Sequence, residues 1–372
     1  MPSDDGESTP RLWAELNPTR LAETLHRWGY PRSHAGPILR HFYRTGGSLA
    51  GLERRVGGRL LALLGELIGT DGARVARRHA AACGTVKLLI DLPAGGAVEA
   101  VLMPSHRPGR AAACVSSQVG CAMGCDFCAS TKGGLERNLS MPEIVAQFLH
   151  LTTEARALGR RIASLVFMGM GEPMQNLEAV LPAIRRIADP DLGGVGWRQV
   201  TVSTVGIVPG IDRLTDEDLN VHLALSLHAA DDALRGALVP MNRKYPIDAI
   251  LPAARRFHDR TGRVVTLEWC LIDGVNDGDD QAERLAGLLR SHGLRAHVNV
   301  IPFNPIGVGV RGREYRRPPP ERVARFVATL RRAGVVCHER AVRGDDVSAA
   351  CGQLRGDAVA RPDRATGLPV LS

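Results

Sequence analysis

Residues 114–130 read CVSSQVGCAMGCDFCAS, which puts four of the chain's eight cysteines within fifteen positions. Three of them, Cys121, Cys125 and Cys128, have the spacing C-x3-C-x2-C. Thiolates so spaced on one tight loop can take three corners of a metal site. They can equally bind three irons of a cubane cluster, leaving the fourth iron open to an outside ligand. Structural zinc usually takes four protein ligands, commonly in paired Cys or Cys/His units, and no second pair follows nearby. Cys114, seven positions upstream at a strand end, is a poor fourth ligand. Zinc and three unligated core thiols remain the competing readings. Phe127, between the last two cysteines, is placed to shield a cluster or to pack against an adenine.

Outward from this loop the pattern is repetitive. The runs AAACVSSQ, IASLVFMG, QVTVST, NVHLALSLH, RVVTLEWCLI and AHVNVIPFN read as strands, and amphipathic stretches such as MPEIVAQFLHLTTEARAL and AILPAARRFHDRTG lie between them. Six βα repeats imply right-handed crossovers and a parallel sheet, either doubly wound or an incomplete barrel. Ligands in such folds sit at the carboxyl ends of the strands. The polar and glycine-rich motifs GMGEP, STVGIVPG, SLHA, DGVND and PFNP each follow a strand, so their loops should meet the cysteine loop.

The fold expected is α/β, with a partial (βα)6 barrel, a small N-terminal helical accessory domain and a β-hairpin. Residues 1–17 are expected to be a disordered tail, 18–82 the helical domain and 83–109 a hairpin linker around Gly95 and Gly96. The barrel with a C-terminal extension is expected over 110–354 and a further tail over 355–372. The segment GVGVRGREYRRPPPER reads as a flexible loop before the last helix.

The 372 residues are 44% hydrophobic and 23% charged, ordinary for a globular chain large enough to need no disulfides. No apolar run approaches the roughly 20 residues of a bilayer crossing, and MPSDDGESTP lacks the character of a signal peptide. A cytoplasmic protein is expected, in which clustered cysteines are more often metal ligands or redox catalysts than structural bridges. The net charge of +8 admits a polyanionic partner without requiring one. Lys132, Arg137, Arg243, Lys244 and Arg343, with Arg316 and Arg317 on the Pro-rich loop, are candidates for phosphate contact, although each alone is more often a solvated charge. Aromatic residues make up only 4%, which argues against extensive base stacking on any nucleic-acid partner.

Other residues stay open on the sequence alone. Cys351, in AACGQL, reads equally as a buried inert thiol. Glu99, in AVEAVLMP, reads as an exposed strand carboxylate. Gly171 and Glu172 suit a close backbone approach and a carboxylate facing a cationic amine, or merely a turn. Ser203, Ser226, Leu227, His228 and Asn304 lie at strand ends, where turn and capping residues collect. Cys83, Cys270 and Cys337 fall in no motif and read as structural.

The C-x3-C-x-aromatic-C loop after the first barrel strand resembles the radical S-adenosylmethionine (SAM) superfamily. The ordered phrases CVSSQVGCAMGCDFCASTKGGLERNL, MGMGEPMQN, STVGIVPGI, LSLHA, VPMNRKYPI, LIDGVND, IPFNP and RGDDVSAACGQL, from about Glu99 to Gln353, more narrowly resemble the RlmN/Cfr family of RNA adenosine methyltransferases. That resemblance implies a 4Fe-4S cluster on Cys121, Cys125 and Cys128, with SAM on the open iron. Gly171, Glu172, Ser203, Ser226, Leu227, His228 and Asn304 would be its further contacts. It implies that Cys351 is methylated by one SAM. A second SAM is cleaved reductively, and the radical formed takes hydrogen from the methyl, whose carbon then adds to the base. Two SAM are thus used per turnover. Glu99 would accept the ring proton, and Cys114 would resolve the protein–RNA adduct by forming a disulfide with Cys351. An aromatic adenine carbon is too weak a nucleophile to attack a sulfonium methyl directly, which is why such a carrier is needed.

RGDD before the last cysteine favours the RlmN branch, which methylates adenine C2 in 23S rRNA, with tRNA as an open second substrate. An electron donor such as flavodoxin or ferredoxin, no membrane and a monomer are expected with it. Three alternatives are a Cfr-like enzyme acting at C8 and conferring antibiotic resistance, a radical SAM enzyme on a non-RNA substrate, and a zinc-stabilised RNA-binding protein. PILRHFY in the helical region, RAVRGDD and the extended 306–319 loop depart from the family's usual pattern.

Overall fold

Beyond Arg110 the β-branched and small-residue runs form strands, each followed by a polar turn and an amphipathic helix, in a computed structural model that describes residues 13–67, 72–340 and 349–354. Strands are numbered along the described chain as β1 (Arg74–Ala80), β2 (Val86–Asp91), β3 (Ala97–Pro104), β4 (Arg110–Cys114), β5 (Gln118–Gly120), β6 (Leu135–Asn138), β7 (Arg161–Phe167), β8 (Val200–Thr204), β9 (His222–Ser226), β10 (Val265–Leu271), β11 (Ala296–Pro302) and β12 (Val336–Glu339). Ten of them form one sheet in the order β1-β2-β3-β4-β7-β8-β9-β10-β11-β12. From β4 to β12 neighbours are parallel, and β1 to β4 pair antiparallel. The six expected barrel strands are β4 and β7 to β11, so the partial (βα)6 barrel is present with its sheet extended at both edges.

The hairpin expected as a linker over 83–109 is not a linker. Its strands β2 and β3 continue the barrel sheet, with Val101 opposite Cys114 and Leu89 opposite Glu99. The helical domain ends at Leu67, short of 82, and Arg74–Ala80 is an edge strand with little buried apolar surface to betray it in sequence. Residues 13–17, placed in a tail over 1–17, belong to the fold. Trp13, Ala14 and Leu16 are buried, and Trp13 stacks on Phe42 at 4.8 Å. Residues 1–12 and 355–372 lie outside the described residues.

PILRHFY lies within the helix Ala35–Thr45, whose Ile38, Leu39, Phe42 and Tyr43 fill the accessory bundle. This bundle seats on the helix Met141–Ala157. That helix begins with a capping box between Ser140 and Glu143, and Arg156 donates to the Arg44 carbonyl at 3.1 Å. No helix among the described residues is long and apolar enough to cross a membrane.

The strand-end loops are gathered by a buried arginine. Arg235 is fully buried and donates to the carbonyls of Val205 (2.6 Å), Leu227 (3.1 Å) and Ser226 (3.2 Å) and to Asn242 Oδ1 (2.8 Å). Burial without a carboxylate bonded to it pulls its pKa down to about 10. Replacing it by methionine strands these acceptors in the interior. Arg235→Met should therefore lower unfolding free energy by about 3–5 kcal/mol in denaturant titration, and a loss under about 1 kcal/mol would show that the arginine does not hold the loops.

Candidate active site

In parallel ladders, paired residues share a face. The register runs Cys114–Val166–Thr201 across β4, β7 and β8, and Ser226–Glu268–Asn299 across β9, β10 and β11. Ser203, Ser226 and Glu268 line the central cavity, so this face is the barrel interior. Glu99 and Cys114 belong to it through the β3–β4 pairing. The cavity and its solvent-open mouth together span about 980 Å³, and Cys121, Cys125, Cys128 and Cys351 all reach its wall.

The cysteine loop is closed by backbone bonds. Cys121 N donates to Gly134 O (2.8 Å), Cys128 N to Cys125 O (3.1 Å) and Asp126 N to Leu238 O (3.0 Å). Burial pushes the Cys121 thiol up to about 12, and burial followed by its two neighbouring thiols pushes Cys125 higher than an ordinary thiol. Three enclosed thiols that oppose one another's ionisation become thiolates only around a cationic centre. Among the described residues no three His, Cys, Asp or Glu side chains are disposed around a single metal ion. A cubane asks for no such convergence, because each thiolate binds a separate iron. The donor set therefore fits an iron–sulfur cluster.

Across the cavity, Gly171 has φ +97°, and a Cβ on it would lie 2.6 Å from Gln118 Cβ, so only glycine allows this approach. Glu172, next to it, accepts from Val205 N (2.9 Å) and Met174 N (3.1 Å), and burial pushes its carboxyl up to about 7. An ammonium group arriving there would restore the carboxylate. Ser203 donates to Phe167 O at 2.6 Å. His228 (φ +62°) is buried, and its Nδ1 accepts from Cys270 N at 2.9 Å, leaving the proton on Nε2. Burial, then Arg235, pulls its pKa down to about 3, so the ring is neutral. Phe127 packs edge-on to it at 4.7 Å.

Two expected contacts differ. The Leu227 side chain is fully buried away from the cavity, and only its backbone serves the loop, its amide donating to Glu268 O and its carbonyl accepting from Arg235. Asn304 does not line the cavity. Its amide nitrogen donates to Cys351 O (3.1 Å) while its oxygen accepts from Arg317 (2.9 Å).

Cys351 is exposed to cavity solvent, and the surrounding walls push its thiol up to about 11, with Arg340 opposing the shift. Cys114 is buried and lies in Cys351's electrostatic reach. Burial first, then Cys351, pushes it up to about 12, while Arg340 again opposes. Glu99 is buried and ion-paired with Lys87 Nζ at 2.7 Å, which corrects the reading of an exposed strand carboxylate. Among the basic candidates, Arg137 is spent on Glu143 and the Gly95 carbonyl, and Lys132 donates to Ile306 O. Arg243 and Lys244 are exposed, whereas Arg343 lies outside the described residues.

A family model described as the radical SAM superfamily matches residues 115–286. The solved structure of a radical SAM methyltransferase from Sphaerobacter thermophilus superposes with a TM-score of 0.85 at 43% identity, over 94% of this chain and all of that one. "Probable dual-specificity RNA methyltransferase RlmN 1" of Opitutus terrae is 53% identical over 342 residues, 92% of this chain and 96% of that protein. "Dual-specificity RNA methyltransferase RlmN" of Alkalilimnicola ehrlichii is 40% identical over 95% of this chain and 92% of its own. The chain belongs to the RlmN family. The radical SAM superfamily to which the RlmN family belongs uses SAM and a 4Fe-4S cluster.

Within this RlmN-family cavity the sequence reading overlooked Glu268, Arg340 and Cys270. Glu268 lines the wall, accepts from Asn299 (3.0 Å) and pairs with Arg340 Nη1 (3.4 Å), which also approaches the Met168 sulfur. Glu268 faces inward through strand alternation, a signal present in TLEWCL, but Arg340 comes in after β12 with no motif to announce it. Cys270, set aside as structural, lines the cavity and fixes the His228 tautomer. Iodoacetamide labelling of Cys351, followed peptide by peptide in the mass spectrometer, should rise about tenfold per pH unit between roughly pH 8 and 10 as the thiolate fraction grows. Arg340→Met should move that profile to higher pH, and an unchanged profile would remove Arg340 from the thiol environment.

Proposed function

We propose that this protein is an RlmN-type RNA methyltransferase that places a methyl group on C2 of an adenosine in 23S rRNA, with tRNA as a second substrate. The observation carrying this reading is that Cys351, from the far end of the chain, opens onto the same cavity as Cys121, Cys125 and Cys128. A radical SAM enzyme that did not carry its methyl on a cysteine would need no thiol there.

In this reading Cys121, Cys125 and Cys128 hold the cluster. Gly171, Glu172, Ser203, Ser226 and His228 hold SAM, with Glu172 facing the amine, and Leu227 and Asn304 shape that wall from behind. When bound, cluster and SAM supply one-electron cleavage of the sulfonium and a hydrogen-abstracting carbon radical. The remaining work falls to the chain itself. Cys351 accepts a methyl by displacement, for which it must become a thiolate, and Arg340 is the cation nearby that favours this. Cys114, in electrostatic reach of Cys351, is the thiol that attacks the linking sulfur and frees the product, in a thiol exchange that ends as a disulfide to be reduced each turn. Glu99 receives the ring proton from the inward face of β3, its carboxylate held by Lys87 until then. The reading entails two SAM per turnover, a protein electron donor, a monomer and a cytoplasmic location.

The test is mass spectrometry of nucleosides from rRNA that lacks the modification, after anaerobic incubation with reconstituted enzyme, SAM and dithionite. 2-Methyladenosine is expected. 8-Methyladenosine would reassign the chain to C8 chemistry, and release of deoxyadenosine with neither product would mean a different substrate. Cys114→Ala should accumulate a covalent protein–RNA species on denaturing gels, whereas Cys351→Ala should give neither adduct nor product.

A further inference from the structure

Five large aliphatic side chains are exposed among the described residues. Three of them, Leu135 (41%), Val308 (55%) and Val310 (44%), belong to the two segments fastened to the outer side of the cysteine loop. Leu135 follows Gly134, whose carbonyl accepts from Cys121 N at 2.8 Å. Val308 and Val310 flank Gly309, which lies so close to the loop that a Cβ there would be 2.3 Å from the Asp126 carbonyl oxygen. Asp126 itself is buried, and its carboxylate accepts from Arg311 N and from the Tyr315 hydroxyl, both at 2.8 Å. The loop's third side is the 238–244 segment, where Asp126 N meets Leu238 O and a Cβ on Gly124 would touch Pro240.

Charge on these segments is mostly of one sign. Lys132, Arg243, Lys244, Arg311 and Arg313 are exposed, against Glu136 and Glu314. The outer face of the cysteine loop thus carries three exposed aliphatic side chains among five cations, its two segments tied together where Lys132 Nζ donates to Ile306 O.

We propose that this face is the docking surface for an acidic one-electron carrier protein, a low-potential flavoprotein or iron–sulfur protein. The proposal rests on the radical reading above, in which the centre held by these cysteines must receive electrons. One electron passes from the reduced carrier to that centre, the carrier is oxidised by one electron, and no bond or proton moves. The inner side of the loop faces the cavity, so a protein-sized donor can approach only from outside. Transient redox complexes are small, commonly below about 1,200 Å² in total, and combine a dry centre with a charged rim that steers the encounter. An RNA surface fits less well. Phosphate recognition has no use for three exposed aliphatics, and Tyr315, an aromatic on these segments, is buried rather than offered for stacking.

The test is anaerobic stopped-flow reduction of the oxidised cluster in reconstituted holoenzyme, using flavodoxin hydroquinone in one arm and dithionite in the other. Val310→Asp and Arg313→Glu should each lower the flavodoxin rate constant about tenfold at low salt and flatten its salt dependence. Dithionite reduction and RNA affinity in filter binding should stay at the parental values. Val310→Lys, which removes the aliphatic but keeps the rim positive, should lose less than Val310→Asp. The proposal is overturned by an unchanged flavodoxin rate in both variants, and equally by a loss of RNA affinity with that rate retained, which would give the face to RNA. Failure of the parental enzyme to methylate RNA with dithionite would undo the functional reading instead, leaving the flavodoxin rates to judge this surface separately.

Discussion

Everything at this site hangs on the loop that carries Cys121, Cys125 and Cys128. Two buried thiols and a half-buried third in one short stretch are unfavourable by themselves, and the protein holds them by fastening distant parts of the chain to that stretch. Asp126 binds the loop before the last helix, Leu238 takes its amide, and Gly134 closes the back. Ala129 N donates to Gly352 O at 2.7 Å, and the Ser130 hydroxyl donates to Leu354 O, so the segment bearing Cys351 is tied to the same stretch. The thiol that would carry the methyl and the thiols that would carry the metal thus share one support.

Around that support the interior is unusually polar for a barrel. Glu172, His228, Arg235 and Glu268 are all buried, each with bonds that fix its orientation. Such groups are tolerable only in a fully connected network, because an unpaired one inside costs several times what a pair contributes. The outcome is preorganisation: donors and acceptors already face the cavity and need not be recruited from solvent when a ligand enters.

Most of the barrel was legible in the sequence because short apolar and β-branched runs alternate with amphipathic stretches and each run is followed by polar turn residues. The cysteine spacing and the strand-end motifs located the site for the same reason: their chemistry is local. What escaped was non-local. Arg74–Ala80 is a strand only because β2 supplies its hydrogen bonds, and its arginines carry no apolar alternation. The 307–322 segment read as flexible from its Gly, Pro and Arg content, yet Asp126, far away in sequence, pins it at Arg311 and Tyr315. Arg340 acquires its meaning only from Glu268 across the barrel. Leu227 sits within a cluster of true wall residues, and only the alternation of the strand end turns its side chain away.

The open sheet has one more consequence, at its first edge. β1 leaves a row of backbone groups unpaired, which in many proteins invites another sheet to add on. Here that edge is fenced by Arg74, Arg77, Arg78 and His79, all exposed, with Arg74 answered by Asp91 and Arg78 by Glu154 in ion pairs. Another strand adding at this edge would have to pair beside this basic cluster. The arginines that hid this strand from pattern reading thus also work against another sheet adding at this edge.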